Sequence, residues 1–459
     1  MNALALILAQ AASASPGLVP SPAADPLAQL KYGAVPIPLA ERLIGVLGIA
    51  TMLAIAYLIS YNRRAINWRL VGSGLALQAV FGVLVLKTPQ GRWFFERMGE
   101  MVNGVLGFVV EGARFAFGFL SDGAIPAGIP PEAGSAIFAF RVMPTIIFVS
   151  SLTSVLYYMG LMQVIVKGIA WVMQRSLGTS GAETLSASGN IFLGQTEAPL
   201  LIKPFVSKMT QSELMTVMVG GFATVSGGVL AAYVAMLQGY FPSIAGHLLA
   251  ASVMNAPAGL LLAKMIYPED KVPVTKNTLT IAVEKTDTSV IEAAASGAAT
   301  GVSLALNVTG MLIAFIALVA MLNYGITWFG DHVGLPGLTL QAILGTLLRP
   351  LAWVMGVPWA DSQYVGGLIG IKTSLNEFVA YLQFASDLDK GAVLQPRSAI
   401  ITAYSLLGFA NFSSIAIQIG GIGGLAPERR SEIAGFGLRA MVAGNLAAFM
   451  SASWAGMLL

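Results

Sequence analysis

Apolar residues run along this chain in blocks of about twenty, the length a helix needs to cross a hydrocarbon core of about 30 Å. Eight such blocks are predicted as spans: 40–59, 70–86, 136–159, 214–237, 246–266, 294–322, 400–422 and 435–458. Residues 91–120 break the pattern. There Trp93, Phe94, Phe95, Glu96, Arg97, Glu100, Glu111 and Arg114 alternate too often for a span, and an amphipathic helix lying in the membrane interface fits them. Two further stretches, 182–205 and 348–381, are apolar but interrupted by Gly, Pro and polar residues. Neither reads as a plain membrane helix.

Charge fixes the expected orientation. Arg63, Arg64 and Arg69 crowd one short loop, Lys167 and Arg175 follow the third span, and Arg429 and Arg430 precede the last. Short loops rich in Lys and Arg stay in the cytoplasm. With eight spans all three clusters fall inside and both termini outside. This holds only if the two interrupted stretches return to the side they came from, which makes them re-entrant hairpins of opposite topology. The polar linker 267–291, with Lys271, Lys276 and Lys285, is placed in the cytoplasm. Residues 1–38 begin with a short apolar run and continue Pro/Ala-rich; they read as a tail of open role, signal-like but without a basic start.

Composition narrows the function. The chain has 459 residues, 56% hydrophobic and 10% charged, against about 25% charged in an ordinary soluble domain. Its mean hydropathy is +0.77. A soluble enzyme, a nucleic-acid binder and a disordered chain are excluded. Cysteine is absent and the two histidines, His247 and His332, lie far apart, so thiolate chemistry and a His-based zinc site are not expected. HExxH, GxSxG and Walker A motifs are missing too, which argues against an intramembrane enzyme.

The two halves echo each other. Asn190 to Pro199, carrying Gln195, Thr196 and Glu197, is followed by Gly220-Gly-Phe-Ala-Thr-Val-Ser226. Gly370 to Phe378, carrying Asn376 and Glu377, is followed by Gly408-Phe-Ala-Asn-Phe-Ser-Ser414. Matching broken segments in two halves point to a transporter's binding site, because non-helical backbone at membrane depth survives only where protein buries it or it lines a wet cavity. A carboxylate at mid-membrane costs about 2.5–3.5 kcal/mol and normally has a binding role. The competing reading pairs Glu197 with Lys203 and Glu377 with Lys372. Carboxylates, amides and hydroxyls without a cation suit a neutral, hydroxyl-rich ligand or a cation. Asn190, Thr224 and Ser226 offer hard oxygens that suit Na⁺, or else cap half-helices. Phe409 and Phe412 stack on a planar ring or simply pack.

Gly194-Gln-Thr-Glu-Ala-Pro-Leu200, Asn376-Glu-Phe-Val-Ala-Tyr381 and Gly408-Phe-Ala-Asn-Phe-Ser-Ser414, with Gly420-Gly-Ile-Gly-Gly-Leu-Ala-Pro427, Asn62-Arg-Arg-Ala-Ile-Asn67 and Phe138-Ala-Phe-Arg-Val142, closely resemble the bacterial concentrative nucleoside transporters from Leu39 to Leu459. The resemblance implies an all-α polytopic membrane protein: about eight transmembrane helices, an interfacial helix and two re-entrant hairpins in inverted repeats, working as an elevator-type homotrimer embedded in lipid. It divides the chain into a mainly scaffold part (39–178), a first transport part (179–266), a linker and scaffold helix (267–335) and a second transport part (336–459). It places Gln195, Thr196 and Glu197 at the nucleobase, and Glu377, Asn411 and Ser414 at the ribose, with Val229 and Phe409 lining the pocket. It assigns sodium to Asn190, the Leu193 carbonyl, Thr224 and the Val225 carbonyl. The Gly-Gln-Thr-Glu form resembles the sodium-using branch, with Na⁺ as coupling ion and no other cofactor; proton-coupled uptake is the alternative. The bacterial inner membrane is the expected location.

Overall fold

The computed structural model describes residues 38–121, 138–276, 287–392 and 394–458. The tail to residue 37, the start of the third expected span and linker residues 277–286 lie outside them.

The first helices are α1 (Leu39–Leu58), α2 (Trp68–Lys87) and α3 (Pro89–Phe117). Between α1 and α2, Arg63 turns its guanidinium back onto the carbonyls of Tyr57 and Leu58 (3.1 and 2.7 Å) at the C-terminal end of α1. α3 starts with a Thr88 cap and a proline in its first turn, and carries the exposed i,i+3 pairs Arg97–Glu100 and Glu111–Arg114 expected of an interfacial helix.

Two repeats follow. The first comprises α4 (Phe138–Tyr158), α5 (Leu161–Leu177), a hairpin built from α6 (Gly181–Gly189) and α7 (Lys203–Val206), a helix interrupted between α8 (Gln211–Ala223) and α9 (Gly227–Leu237), and α10 (Ile244–Ile266). The second comprises α11 (Val290–His332), α12 (Leu340–Val354), a hairpin of α13 (Trp359–Ser374) and α14 (Glu377–Asp389), an interrupted helix of α15 (Pro396–Leu406) and α16 (Phe412–Leu425), and α17 (Arg430–Leu458). The order is the same in both: long helix, amphipathic helix, hairpin, broken helix, long helix. Among the described residues every element is helical.

Six segments are long and apolar enough to cross a membrane: 41–58, 68–87, 211–237, 244–266, 290–332 and 427–458. Two further pairs reach that length and apolarity only together, 142–158 with 161–177, bent by 79°, and 340–354 with 359–374. Counting each bent pair as one span gives up to eight. Two boundaries differ from the sequence reading. The second hairpin spans 359–389, not 348–381, because α12 turns away from α13 by 117° at Gly356 (φ +101°) and Pro358. The residues stay apolar through that turn, so hydropathy conceals it. α11 runs 43 residues, well beyond 294–322, because its ends continue as helix after the apolar block stops.

α8–α9, α10 and α17 are mostly enclosed, whereas most of α11 is exposed. α11 packs on α4 through a stripe of Gly297, Gly301, Ala305 and Val308. A Cβ on Gly297 would come within 2.6 Å of Ser154, and one on Gly301 within 2.7 Å of Ile147, so glycine is what lets these backbones touch. At the base of the first hairpin, α6 and α8 both begin with capping boxes, Ser180/Glu183 and Thr210/Glu213. Buried Lys264 of α10 pairs with Glu183 of the first (2.7 Å) and with Glu269 (3.1 Å), whose carboxylate accepts from the Thr210 hydroxyl of the second (2.8 Å).

Candidate functional site

The site begins with two helix breaks that cross. Residues 224–226 separate α8 from α9, and residues 407–411 separate α15 from α16. The Phe409 N–H donates to the Thr224 carbonyl (3.2 Å), so each break satisfies part of the other. Gly408 sits at φ +118°, and a Cβ there would lie 2.7 Å from the Phe222 carbonyl oxygen and 2.9 Å from that of Ala223. Only glycine allows this approach. Each break is also tied to the long helix that ends its repeat. Asn255 of α10 donates through Nδ2 to the Ala223 carbonyl (2.8 Å), and Asn445 of α17 donates in the same way to the Ala410 carbonyl (2.9 Å). Sequence reasoning missed this pair. Each asparagine stands among small and apolar neighbours, but nothing in the sequence says which carbonyl it meets.

The hairpin tips meet the breaks. At the first tip, Ser252 donates to the Ile191 carbonyl (3.0 Å) and the Gly227 N–H donates to that of Phe192 (2.8 Å). Asn190 ends α6 with its side chain fully buried, and neither its amide nitrogen nor its oxygen has a hydrogen-bond partner. An orphaned amide buried this deeply costs about 1–3 kcal/mol unless something binds it. Its amide nitrogen lies against Gly220, whose carbonyl accepts the Thr224 hydroxyl (3.0 Å). Leu193 and Val225 lie on the non-helical backbone of the tip and of the break. Among the described residues no group of three His, Cys, Asp or Glu is placed to hold a metal ion. An ion here would meet neutral oxygens, the donor set that suits Na⁺ and not a transition metal.

At the second tip Asn376 caps α14 by accepting from the Val379 N–H (2.8 Å), which puts Glu377 in the first turn, where the helix dipole favours an anion. The Glu377 carboxylate is buried and accepts from Asn411 Nδ2 (2.7 Å) and the Tyr233 hydroxyl (3.2 Å). Asn411 in turn caps α16, its oxygen accepting from the Ser414 N–H (2.9 Å). Ser414 Oγ accepts from Gln195 Nε2 (3.3 Å), and Gln195 Oε1 accepts from Gln418 Nε2 (3.1 Å). Glu377, Asn411, Ser414, Gln195 and Gln418 thus form one continuous polar line joining the two repeats. Tyr233, stacked on Tyr381 at 4.1 Å, and Gln418 were not foreseen, because nothing in the sequence places them opposite the hairpins.

The remaining expected residues are arranged around this line. Val229 is buried one helical turn before Tyr233 on α9. Phe409 is half-buried at its break, while Phe412 is 54% exposed. Thr196 packs on Gly421 of α16, where a Cβ would come within 2.6 Å of its methyl. Glu197 accepts from the Gly194 N–H of its own tip (3.1 Å) and borders a cavity of about 410 Å³. That cavity separates the first hairpin from Ser150, Thr153 and Ser154 of α4 and from Ser296 and Thr300 of α11, and Lys203 also lines it. Lys372 does not direct its ammonium at a carboxylate: it donates to the carbonyls of Ser405 (2.9 Å) and Leu407 (3.4 Å).

The chain matches the family model described as Na⁺ dependent nucleoside transporter N-terminus over residues 47–120 and its C-terminus counterpart over 247–456. A nucleoside-recognition model, Gate, matches 139–239. An uncharacterized transporter of Haemophilus influenzae is 46% identical over 91% of this chain and 98% of its own length. Sodium/nucleoside cotransporter 1 of Rattus norvegicus is 41% identical over 91% of this chain, which spans 64% of that longer protein. Among solved structures, CNTnw in an inward-facing substrate-bound state superposes with a TM-score of 0.83 at 43% identity, covering 92% of this chain and 98% of that one. A CNTnw variant in an outward-facing state gives 0.84 at 44% identity, covering 91% and 97%. The helical membrane fold with its paired hairpins and these matches agree: the chain belongs to the Na⁺-dependent nucleoside transporter family, and its work is transport, not catalysis.

Proposed function

We propose that this chain is a sodium–nucleoside symporter that draws nucleosides into the cell across a bacterial inner membrane. The observation that carries the reading is the polar line from Glu377 to Gln195. It offers a carboxylate and amides from one repeat and an amide from the other. A ribose diol presents two donors, and the Glu377 carboxylate accepts both; Asn411 and Ser414 complete the sugar site. Gln195, able to donate and accept at once, reads the base edge with Thr196 and Glu197, and Val229 and Phe409 form the walls. Sodium takes Asn190, Thr224 and the Leu193 and Val225 carbonyls, which supplies the partner that the Asn190 amide oxygen lacks.

One Na⁺ moving down 100 mV releases about 2.3 kcal/mol, and a tenfold gradient adds about 1.4 kcal/mol. Together these support accumulation of a neutral nucleoside by a factor of several hundred. Residues 39–178 and 267–335 form the scaffold, on which the chain assembles as a homotrimer. Residues 179–266 and 336–459 form the transport domain, which moves past it as an elevator, with both termini outside. The two facing states recorded for the CNTnw structures support such alternation. The test is uptake of labelled uridine and adenosine into proteoliposomes. Accumulation driven by an inward Na⁺ gradient is expected. Accumulation driven by external acid without Na⁺ would transfer the coupling to protons, and equilibration without accumulation would make the protein a passive pore.

A further inference from the structure

Among the described residues Lys372 is the largest charged side chain that is completely buried, and the transport reading gives it no work. It projects from the end of α13, five residues before Glu377. Its ammonium lies between the Ser405 and Leu407 carbonyls at the C-terminal end of α15 (2.9 and 3.4 Å) and sits 5.5 Å from the centre of the Phe449 ring. The carbonyls carry the negative end of the half-helix dipole, and the ring face is electron-rich. The surroundings are those of a cation site.

The repeats give this position a meaning. Aligning Gly221-Phe-Ala-Thr224 with Gly408-Phe-Ala-Asn411 sets Gly220 opposite Leu407. In the first repeat, hairpin residue Asn190 reaches the last turn of α8 at Gly220 and leaves its amide oxygen unsatisfied. In the second, hairpin residue Lys372 reaches the equivalent turn of α15 and bonds the Leu407 carbonyl. A neutral side chain that needs an ion and a side chain that brings its own charge occupy matching places.

We propose that Lys372 is a resident cation, fastening the second hairpin to α15 as sodium fastens the first hairpin to α8–α9, so that the second repeat has no ion site of its own. This rests on the sodium reading of the first repeat. Its positive charge also offsets that of Glu377 in a site that must receive a neutral ligand. Lys372 acts through the hairpin and is a positioning residue.

The experiment uses the full chain with a single cysteine, Ser374→Cys, at the second tip; no native cysteine competes. Its maleimide labelling and the Na⁺ dependence of uridine uptake are measured for Lys372, Lys372→Arg and Lys372→Ser. With Lys372 or Arg, labelling is expected to be slow and indifferent to Na⁺, and uptake to follow a hyperbolic Na⁺ curve. With Ser, labelling should speed up in choline and slow again in Na⁺, and any remaining uptake should become sigmoidal in Na⁺ as a second ion enters the vacated place. Unchanged labelling in Lys372→Ser, with or without transport, overturns the proposal, as does a hyperbolic Na⁺ curve with uptake intact. If Ser prevents folding, an intact Lys372→Arg upholds the role of the charge, and misfolding of both overturns it. Asn190→Ala in the same assay separates the two readings: wild-type Na⁺ dependence there sinks the sodium site whatever Lys372 does.

Discussion

Glu377 is the residue whose chemistry is most exposed to test. Its carboxylate is buried, sits in the first turn of α14 and accepts from Asn411 and Tyr233. Glu377→Gln preserves shape but sets an NH₂ against donors. Losing a charge-assisted hydrogen bond costs about 1.5–3 kcal/mol, so uridine affinity is expected to fall roughly tenfold to a hundredfold while the protein still inserts. The loss should be smaller for 2′- and 3′-deoxyuridine, which have fewer hydroxyls to forfeit. Equal losses for all three would return Glu377 to a structural role. In the first repeat, Asn190→Ala and Thr224→Ala should each raise the Na⁺ concentration for half-maximal uptake. Asn190→Ala should do so without a folding penalty, because its amide makes no hydrogen bond in the protein. Titrating uptake against Na⁺ at saturating uridine checks both.

At the scale of elements, the broken helices explain what the sequence made legible and what it hid. Interruptions of apolar runs by Gly-Phe-Ala-Thr and Gly-Phe-Ala-Asn are visible in one dimension, so the breaks, the hairpins and Glu377 at a tip were all readable, as was the amphipathic α3. The bend between α12 and α13 was not, because hydropathy is continuous across Gly356. Nor were the partners of the site: Tyr233 and Gln418 meet Glu377 and Gln195 from elements distant in sequence, and no periodicity encodes that distance. Asn255 and Asn445 belong to the same hidden class. Asn255 satisfies the carbonyl just before the first break and Asn445 one inside the second, so alanine at either leaves a buried carbonyl unpaired, at a cost of about 1–3 kcal/mol. Their effects should divide by repeat. Asn255→Ala loosens the break that carries Thr224 and should weaken Na⁺ dependence first. Asn445→Ala loosens the break that carries Asn411 and should raise the uridine KM first. Uptake titrated against each ligand in turn distinguishes this from a common loss of stability, which would lower the amount of folded protein and leave both half-saturation values in place.

For the molecule as a whole, the contrast in burial sets the expected motion. The α8–α9, α10 and α17 segments are enclosed, while α11 meets α4 along one narrow glycine stripe and is otherwise exposed. At 1.5 Å per residue its 43 residues extend roughly 65 Å, about twice the hydrocarbon thickness. A helix of that reach is suited to a fixed frame, and its uncovered apolar surface to lipid and to neighbouring copies. The cavity beside Glu197 lies where the first hairpin faces this frame, so the frame and the hairpin must slide past each other if the elevator reading is right. Disulfide locks separate the two kinds of contact. Ser151 donates to the Ala294 carbonyl at 2.8 Å within the frame, and a cysteine pair at 151 and 294 should leave uridine uptake at the uncrosslinked rate. Thr153 of α4 and Ser226 of the first break both line the cavity, and a cysteine pair there should stop uptake until reductant restores it. Uptake that persists with the 153–226 lock closed would mean that the first break and the hairpin tip bonded to it through Gly227 and Phe192 do not travel along α4, and the moving part would have to be sought in the second repeat alone.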